Sequence, residues 1–445
     1  MPAKSAAEPN VYYWSLPEVL SADDIESASI QLQNNSRLVL DITTLREVGL
    51  GAEGRLLALL VSAKRQNKFT TIQVEKLSLS EAESPILKLL VFTSLGLIIG
   101  RMSDSIIDYE DNEYIVEIRR LQSVHLKDSH GYLSNDSITE GKSTSLNFCA
   151  LIADEFGRPT TPILWKQREP APFTFYFKKC LSQYLKIPAT NSKLIERIND
   201  YVFEAFQNTF DHASKDFNGH PIHGLRFISI RYYNLINLPI DSLIVRNRNP
   251  VTYALGDPIS SYLSFIQDEI MNNAESDFTI ESLLEVTIAD SGYGIPARME
   301  KLENSLELSP EDEEILLERA LKPGGSSKSD SVVGAGLGLF KMMESACRLQ
   351  GLILFRTGQL NMYRYYGNSE ENWPSTSSKV EENWDALKLH KWDETPCGYL
   401  SGTCISMIFP LKTEIKEPKV ITPPIDDVVR SSDNAHEVHQ LKLFI

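Results

Sequence analysis

Hydrophobic positions in the first quarter of the chain alternate between short runs and helical stripes. Arg37-Leu38-Val39-Leu40-Asp41-Ile42 has the pattern of a buried strand, and Phe69–Val74 repeats it. Between them Leu56, Leu57, Leu59, Leu60 and Ala63 give a helix an apolar face. Ile86–Ile98 predicts another helix. Strand, helix, strand, helix over residues 11–120 predicts a small α/β domain behind a flexible N-terminus at 1–10. Its longest apolar run, near Ile86 to Gly100, contains Lys88 and falls short of the roughly 20 apolar residues of a membrane span.

A second periodic region runs over 187–411. Thr190-Asn191-Ser192 can cap a helix that continues to Ala213, with Leu194, Ile198, Tyr201, Val202, Ala205 and Thr209 on its core side. Strands are predicted at Leu225–Tyr232, Leu284–Ala289, Leu352–Thr357 and Gly402–Pro410, with Met362–Tyr366 continuing the third around Gly358. Helices are predicted at Ser260–Met271, at Ser309–Leu321, and where Leu339, Met342, Met343 and Ala346 recur. Residues 234–280 separate two strands by too much chain for a hairpin and predict an insertion. Residues 121–186 predict a connecting region: His125–Ser145 is polar and turn-rich, Phe173–Phe177 suggests a strand, and four prolines lie nearby. Residues 412–445 predict a tail.

Composition narrows the classes. The 445 residues carry a net charge of −16, which argues against a broad nucleic-acid-binding surface. The first ten residues lack the apolar core of a secretory signal, and five scattered cysteines contain no Cys-x-x-Cys. A cytoplasmic protein with free thiols and no membrane segment is expected.

Three stretches carry candidate chemistry. Val286–Pro296 reads as a strand ending in Asp290, followed by the turn Ser291-Gly292-Tyr293-Gly294. A carboxylate there can accept the exocyclic amine of a base, and glycines let backbone approach a ligand. Alone this turn is a weak signal. On the helix before it, Glu204, Asn208 and Asp211 lie at i, i+4 and i+7 on one stripe. The Asn208 carbonyl suits Mg²⁺, and Glu204 could take a proton from an attacking water or hydroxyl. A solvated polar face would look the same. Third, a Gly/Ser-rich loop containing Lys328 runs into Gly334-Ala335-Gly336-Leu337-Gly338-Leu339 at a helix start, where free N–H groups favour an anion. The spacing fits neither the dinucleotide fingerprint nor a Walker loop. His212, His220 and His223 read as loop residues rather than a zinc pair, since Pro221 interrupts them.

In this order the three stretches, closed by Gly402-Thr403, resemble the GHKL superfamily of gyrase, heat-shock chaperone, histidine kinase and MutL ATP-binding domains. The resemblance implies an α+β fold, a Bergerat-type ATP-binding α/β sandwich with a mixed sheet backed by helices. It implies ATP and Mg²⁺ as cofactors. Asp290, aided by Thr403, would bind adenine. Asn208 would ligate Mg²⁺, with Asp211 beside it. Gly292 and Gly294 would line the nucleotide, Gly334, Gly336, Leu337 and Gly338 would wrap the phosphates, and Lys328 would reach them. Glu204 stands where the catalytic members keep a general base. Its helix is similar both to the anti-sigma kinase pattern Glu-Ala-x-x-Asn-x-x-x-His-Ala and to the MutL-like Glu-x-x-x-Asn-x-x-Asp. No phosphoacceptor histidine box lies upstream, which disfavours a sensor kinase.

Residues 11–120 resemble a STAS domain by pattern. Ala52 stands where such antagonists carry a phosphorylatable serine. The resemblance therefore implies a scaffold, or a docking module for a protein partner. Homodimerisation on ATP is implied by resemblance alone. The leading expectation is an ATPase whose lid closure switches domain or partner contacts. The alternatives are a serine/threonine kinase acting on a separate STAS protein, and a non-catalytic ATP-gated docking module.

Overall fold

The computed structural model describes residues 10–77, 84–128, 132–134, 143–151, 174, 192–213, 215–220, 222, 225–247, 257–272, 278–323, 325, 338–367, 384–392 and 397–414. It is a mixed α/β protein with one parallel and one antiparallel sheet of more than two strands.

The N-terminal sheet holds four parallel strands side by side, β1 (Val11–Ser15), β3 (Arg37–Asp41), β5 (Phe69–Val74) and β6 (Ser105–Asp108). Helices α1 (Ala22–Gln33), α2 (Ala52–Arg65), α3 (Pro85–Phe92) and α4 (Ser94–Met102) connect these strands, and α5 (Ile115–Asp128) follows β6. Ser21 closes a capping box on α1. The single helix expected at Ile86–Ile98 is broken at Thr93, whose side chain accepts the Gly96 N–H and so starts α4. A parallel two-residue bridge joins β2 (Val19–Leu20) to β4 (Glu47–Val48). Among the described residues no single helix is long and apolar enough to cross a membrane.

The second sheet has eight antiparallel strands in the order β13-β12-β11-β14-β10-β9-β8-β7. Its centre is β9 (Leu225–Asn234), β10 (Phe278–Asp290), β14 (Leu400–Glu414) and β11 (Leu352–Gly358). The edges are β12 (Leu360–Tyr365) and β13 (His390–Lys391) on one side, and β8 (Ser143–Leu151) and β7 (Tyr132–Ser134) on the other. These last two strands come from the stretch read as a connecting region, 121–186, and pair into this sheet. Phe173–Phe177, apart from Thr174, lies outside the described residues.

The sheet is covered on both faces, which is why β10 reads as a nearly continuous apolar run. Leu284, Val286 and Ile288 point to the front, into a core with α6 (Ser192–Ala213), α10 (Pro310–Leu321) and α11 (Gly338–Arg348). Leu283 points to the back, where the inserted helices α7 (Ile240–Asn247) and α8 (Pro258–Asn272) pack. Ala289 and Cys404 also face back and join the core of the N-terminal domain. Helix α2 therefore lies between the two sheets, with every residue from Ala52 to Ala63 buried. The molecule is a layered stack of sheet, helix, sheet and helix.

Candidate functional site

The front face opens into a cleft at the ends of β10 and β14. Asp290 is the last residue of β10 and pairs in register with Thr403 of β14. Both side chains follow the front-facing set Leu284, Val286 and Ile288, so strand alternation aims them into the cleft. The Asp290 carboxylate accepts the Gly292 N–H at 2.8 Å. Burial pushes its pKa up to about 6, against the pull of the Gly292 N–H, Arg65 and Arg226. Beside Thr403, the Thr357 hydroxyl donates to Gly402 O and accepts the Ile295 N–H, both at 3.1 Å. This fixes the strand ends relative to the turn.

At the other end of the cleft, α6 supplies Glu204 and Asn208. Ile198, Tyr201, Val202 and Ala205 anchor that helix in the front core. The polar stripe therefore lies at the core's rim, as its spacing predicted. Asn208 Nδ2 is buried and has no hydrogen-bond partner. An unsatisfied buried amide costs about 1–3 kcal/mol, so it calls for an explanation such as an absent ligand. Gly338 opens α11 directly against these groups. A Cβ there would lie 3.1 Å from both Asn208 Nδ2 and Glu204 Oε2, so any larger residue would crowd these two groups. Glu204 itself accepts an ion pair from Lys341 Nζ at 2.7 Å.

The cleft has a cavity volume of about 140 Å³, opens to solvent, and is lined by Glu204, Asn208, Asp290, Gly292, Gly294, Gly338 and Thr403 among others. Seven of the twelve expected site residues thus converge on one cavity. The Asp211 backbone lies in the last turn of α6, and its side chain lies outside the described residues. Lys328, Gly334, Gly336 and Leu337 also lie outside them.

Lys341, Thr357, Tyr293 and Arg298 went unmarked in the sequence. Lys341 follows Gly338 by three positions on the same helix, a signal that could have been used. Thr357 carries no local signal, since its role comes from strand pairing.

Arranged this way, the cleft pairs a buried carboxylate acceptor at one end with an amide, a carboxylate and a helix start at the other, suited to an elongated ligand with a base-like donor and an anionic tail. The chain matches no protein-family model, and no curated protein or solved structure matches it.

Proposed function

We propose that the front cleft binds ATP with Mg²⁺, and that the chain is an ATPase of the GHKL type with a Bergerat-like second domain and a STAS-like first domain. The observation that carries this reading is the pairing of Asp290 with the orphaned Asn208 amide across one cavity. In it Asp290 accepts the adenine amino group, with Thr403 beside it. The Asn208 carbonyl oxygen would hold Mg²⁺ together with phosphate oxygens, and the magnesium would neutralise phosphate charge. The α11 start faces the phosphates, and its dipole favours their charge. Among the described residues Glu204 is the carboxylate that lines the cleft at that end, and it holds or moves the proton of an attacking water.

A second reading, a non-catalytic ATP-gated docking module, is favoured by the Lys341–Glu204 ion pair, which occupies the base. The kinase reading requires a separate substrate protein, since Ala52 has no hydroxyl to accept a phosphoryl group.

Incubation of the full chain with Mg²⁺ and labelled ATP tests these. Released phosphate that disappears in Glu204→Ala supports the ATPase. Binding without turnover supports the docking module, and label on an added STAS protein supports the kinase. Equal turnover by Glu204→Ala and wild type would remove Glu204 from the chemistry.

A further inference from the structure

The turn that shapes the base end of the cleft is held by a residue of the other domain. Arg65 is the last residue of α2. Its Nη1 donates to Gly292 O at 2.6 Å and its Nη2 to Ser291 O at 2.5 Å. These are carbonyls of the same turn whose Gly292 N–H holds Asp290. The guanidinium also lies over the Tyr293 ring, 4.9 Å from its centroid. Tyr293 stacks on Phe217 at 5.1 Å with a 10° interplanar angle, and Arg298 sits over Phe217 at 4.7 Å. Arg298 donates in turn to Lys215 O at 3.1 Å. One line of contacts therefore runs from α2, through the Asp290 turn, to the loop behind α6 and to α9 (Ile295–Glu300).

Two of its members, Tyr293 and Arg298, line the cleft. Tyr293 also walls a second cavity between the domains, bordered by Lys64, Arg65, Glu303 and Tyr399. Forked donation from a charged guanidinium to two carbonyls is among the stronger interactions in this region, and a lysine cannot reproduce it while lying flat on the ring. The charged groups facing Asp290 are Arg65 from α2 and Arg226 from β9, both cationic. Arg65 thus fixes the turn's shape and favours the ionised carboxylate.

We propose that Arg65 is a positioning residue for base recognition, which makes the N-terminal domain a built-in part of the nucleotide site. The inference rests on the nucleotide reading above. Linkage then runs both ways: nucleotide binding tightens the seat of α2, and whatever loosens α2 weakens the nucleotide.

Calorimetric titration of the full chain with MgATP, from about pH 5 to about pH 8, tests it. Wild type is expected to lose affinity as pH falls through about 6, where Asp290 takes up its proton. Arg65→Ala is expected to weaken binding by roughly 10- to 100-fold and to move that midpoint upward. Arg65→Lys keeps the charge, so its midpoint stays near wild type while its affinity falls between the two. If wild type fails to bind MgATP at every pH, the nucleotide reading itself falls. If wild type binds and Arg65→Ala matches it, or weakens with an unmoved midpoint, the positioning role is overturned while the nucleotide reading stands. Should Arg65→Ala fail to fold, Arg65→Lys carries the test, and wild-type affinity in that variant overturns the proposal.

Discussion

The two faces of the eight-stranded sheet are built on opposite principles. The front is apolar through its core and keeps its polar groups for the open cleft at the strand ends. The back buries charge in its middle. There Glu26 of α1 accepts from Arg55 Nε at 3.1 Å and from Arg356 Nε at 3.0 Å. Glu53 of α2 accepts from Arg231 at 2.8 Å and from Ser229 at 3.0 Å. Glu285 of β10 accepts the Gly51 N–H at 2.7 Å and the Tyr233 hydroxyl at 3.0 Å. Glu26 stands between two guanidiniums and Glu53 against one, while Glu285 is held by neutral donors and burial pushes its pKa up. Apolar contacts would have bound the N-terminal domain as well, but would have tolerated many orientations. Buried ion pairs add little net stability, because desolvation offsets their attraction. What they supply here is one geometry: the arrangement that brings Arg65 to the Asp290 turn. Helix α2 approaches so closely that a Cβ on Gly54 would meet Cys404 Sγ at 2.3 Å and Thr287 Cγ2 at 2.9 Å.

The sharpest way to break the contrast is on the back face. Glu26→Ala leaves Arg55 and Arg356 buried without their shared carboxylate, and should cost about 3–5 kcal/mol in denaturant unfolding. Replacing Glu26, Arg55 and Arg356 together by apolar residues should be close to neutral by the same measurement. A triple variant as unstable as Glu26→Ala would show that packing, not unpaired charge, dominates that face.

On the front face, Asp290→Asn should abolish MgATP binding in titration calorimetry yet stabilise the fold. In the unfolded chain an aspartate titrates near 3.9 (roughly). Between that value and about 6 the folded protein holds a proton that the unfolded chain has lost. Stability from this group is therefore greatest at low pH, falls as pH rises through that window, and is level above it. Two pH units correspond to about 3 kcal/mol, an upper bound on the gain at neutral pH. Thermal unfolding of the variant and wild type at about pH 5, inside the window, and about pH 8, above it, should show the difference shrinking on the acid side.

Gly338→Ala should perturb the stability of α11 by less than about 1 kcal/mol and still reduce nucleotide affinity, because its methyl crowds Asn208 and Glu204. Unchanged affinity would separate the α11 start from the ligand. The smallest effect on stability belongs to Lys341→Ala. Its pair with Glu204 is half in solvent at the lysine, and such pairs are worth about 0–1 kcal/mol. Its informative readout is phosphate release, which should rise if the lysine restrains the base.

Much of the front face was legible in the sequence. Alternation predicted β9, β10, β11 and β14, and the stripe on α6 gave Glu204 and Asn208 at the core rim. Asp290 was legible because a strand end and its turn are local in sequence. The back face was not. Glu26 and Arg356 are 330 positions apart, and Gly51 and Glu285 are 234 apart. No local pattern links such partners, so nothing in the sequence marks Arg55 or Arg65. Strand β7 went unread because a three-residue strand resembles a loop, and β8 because the strand it pairs with, β9, lies far along the chain. Lys328 lies outside the described residues, and the ion pair to Glu204 comes from Lys341 in the first turn of α11, which went unmarked in the sequence.

The burial of α2 between two sheets has a consequence for synthesis. The helix and its own sheet leave the ribosome first, but the strand that supplies Glu285 is completed 234 residues after Gly51. At about 5–20 residues per second that delay is on the order of ten to fifty seconds. Throughout it the nascent domain shows water a face marked by Glu26, Glu53 and Arg55 rather than a bare apolar one. Charges that add little to the finished fold can thus keep its first third soluble while it waits for its other half.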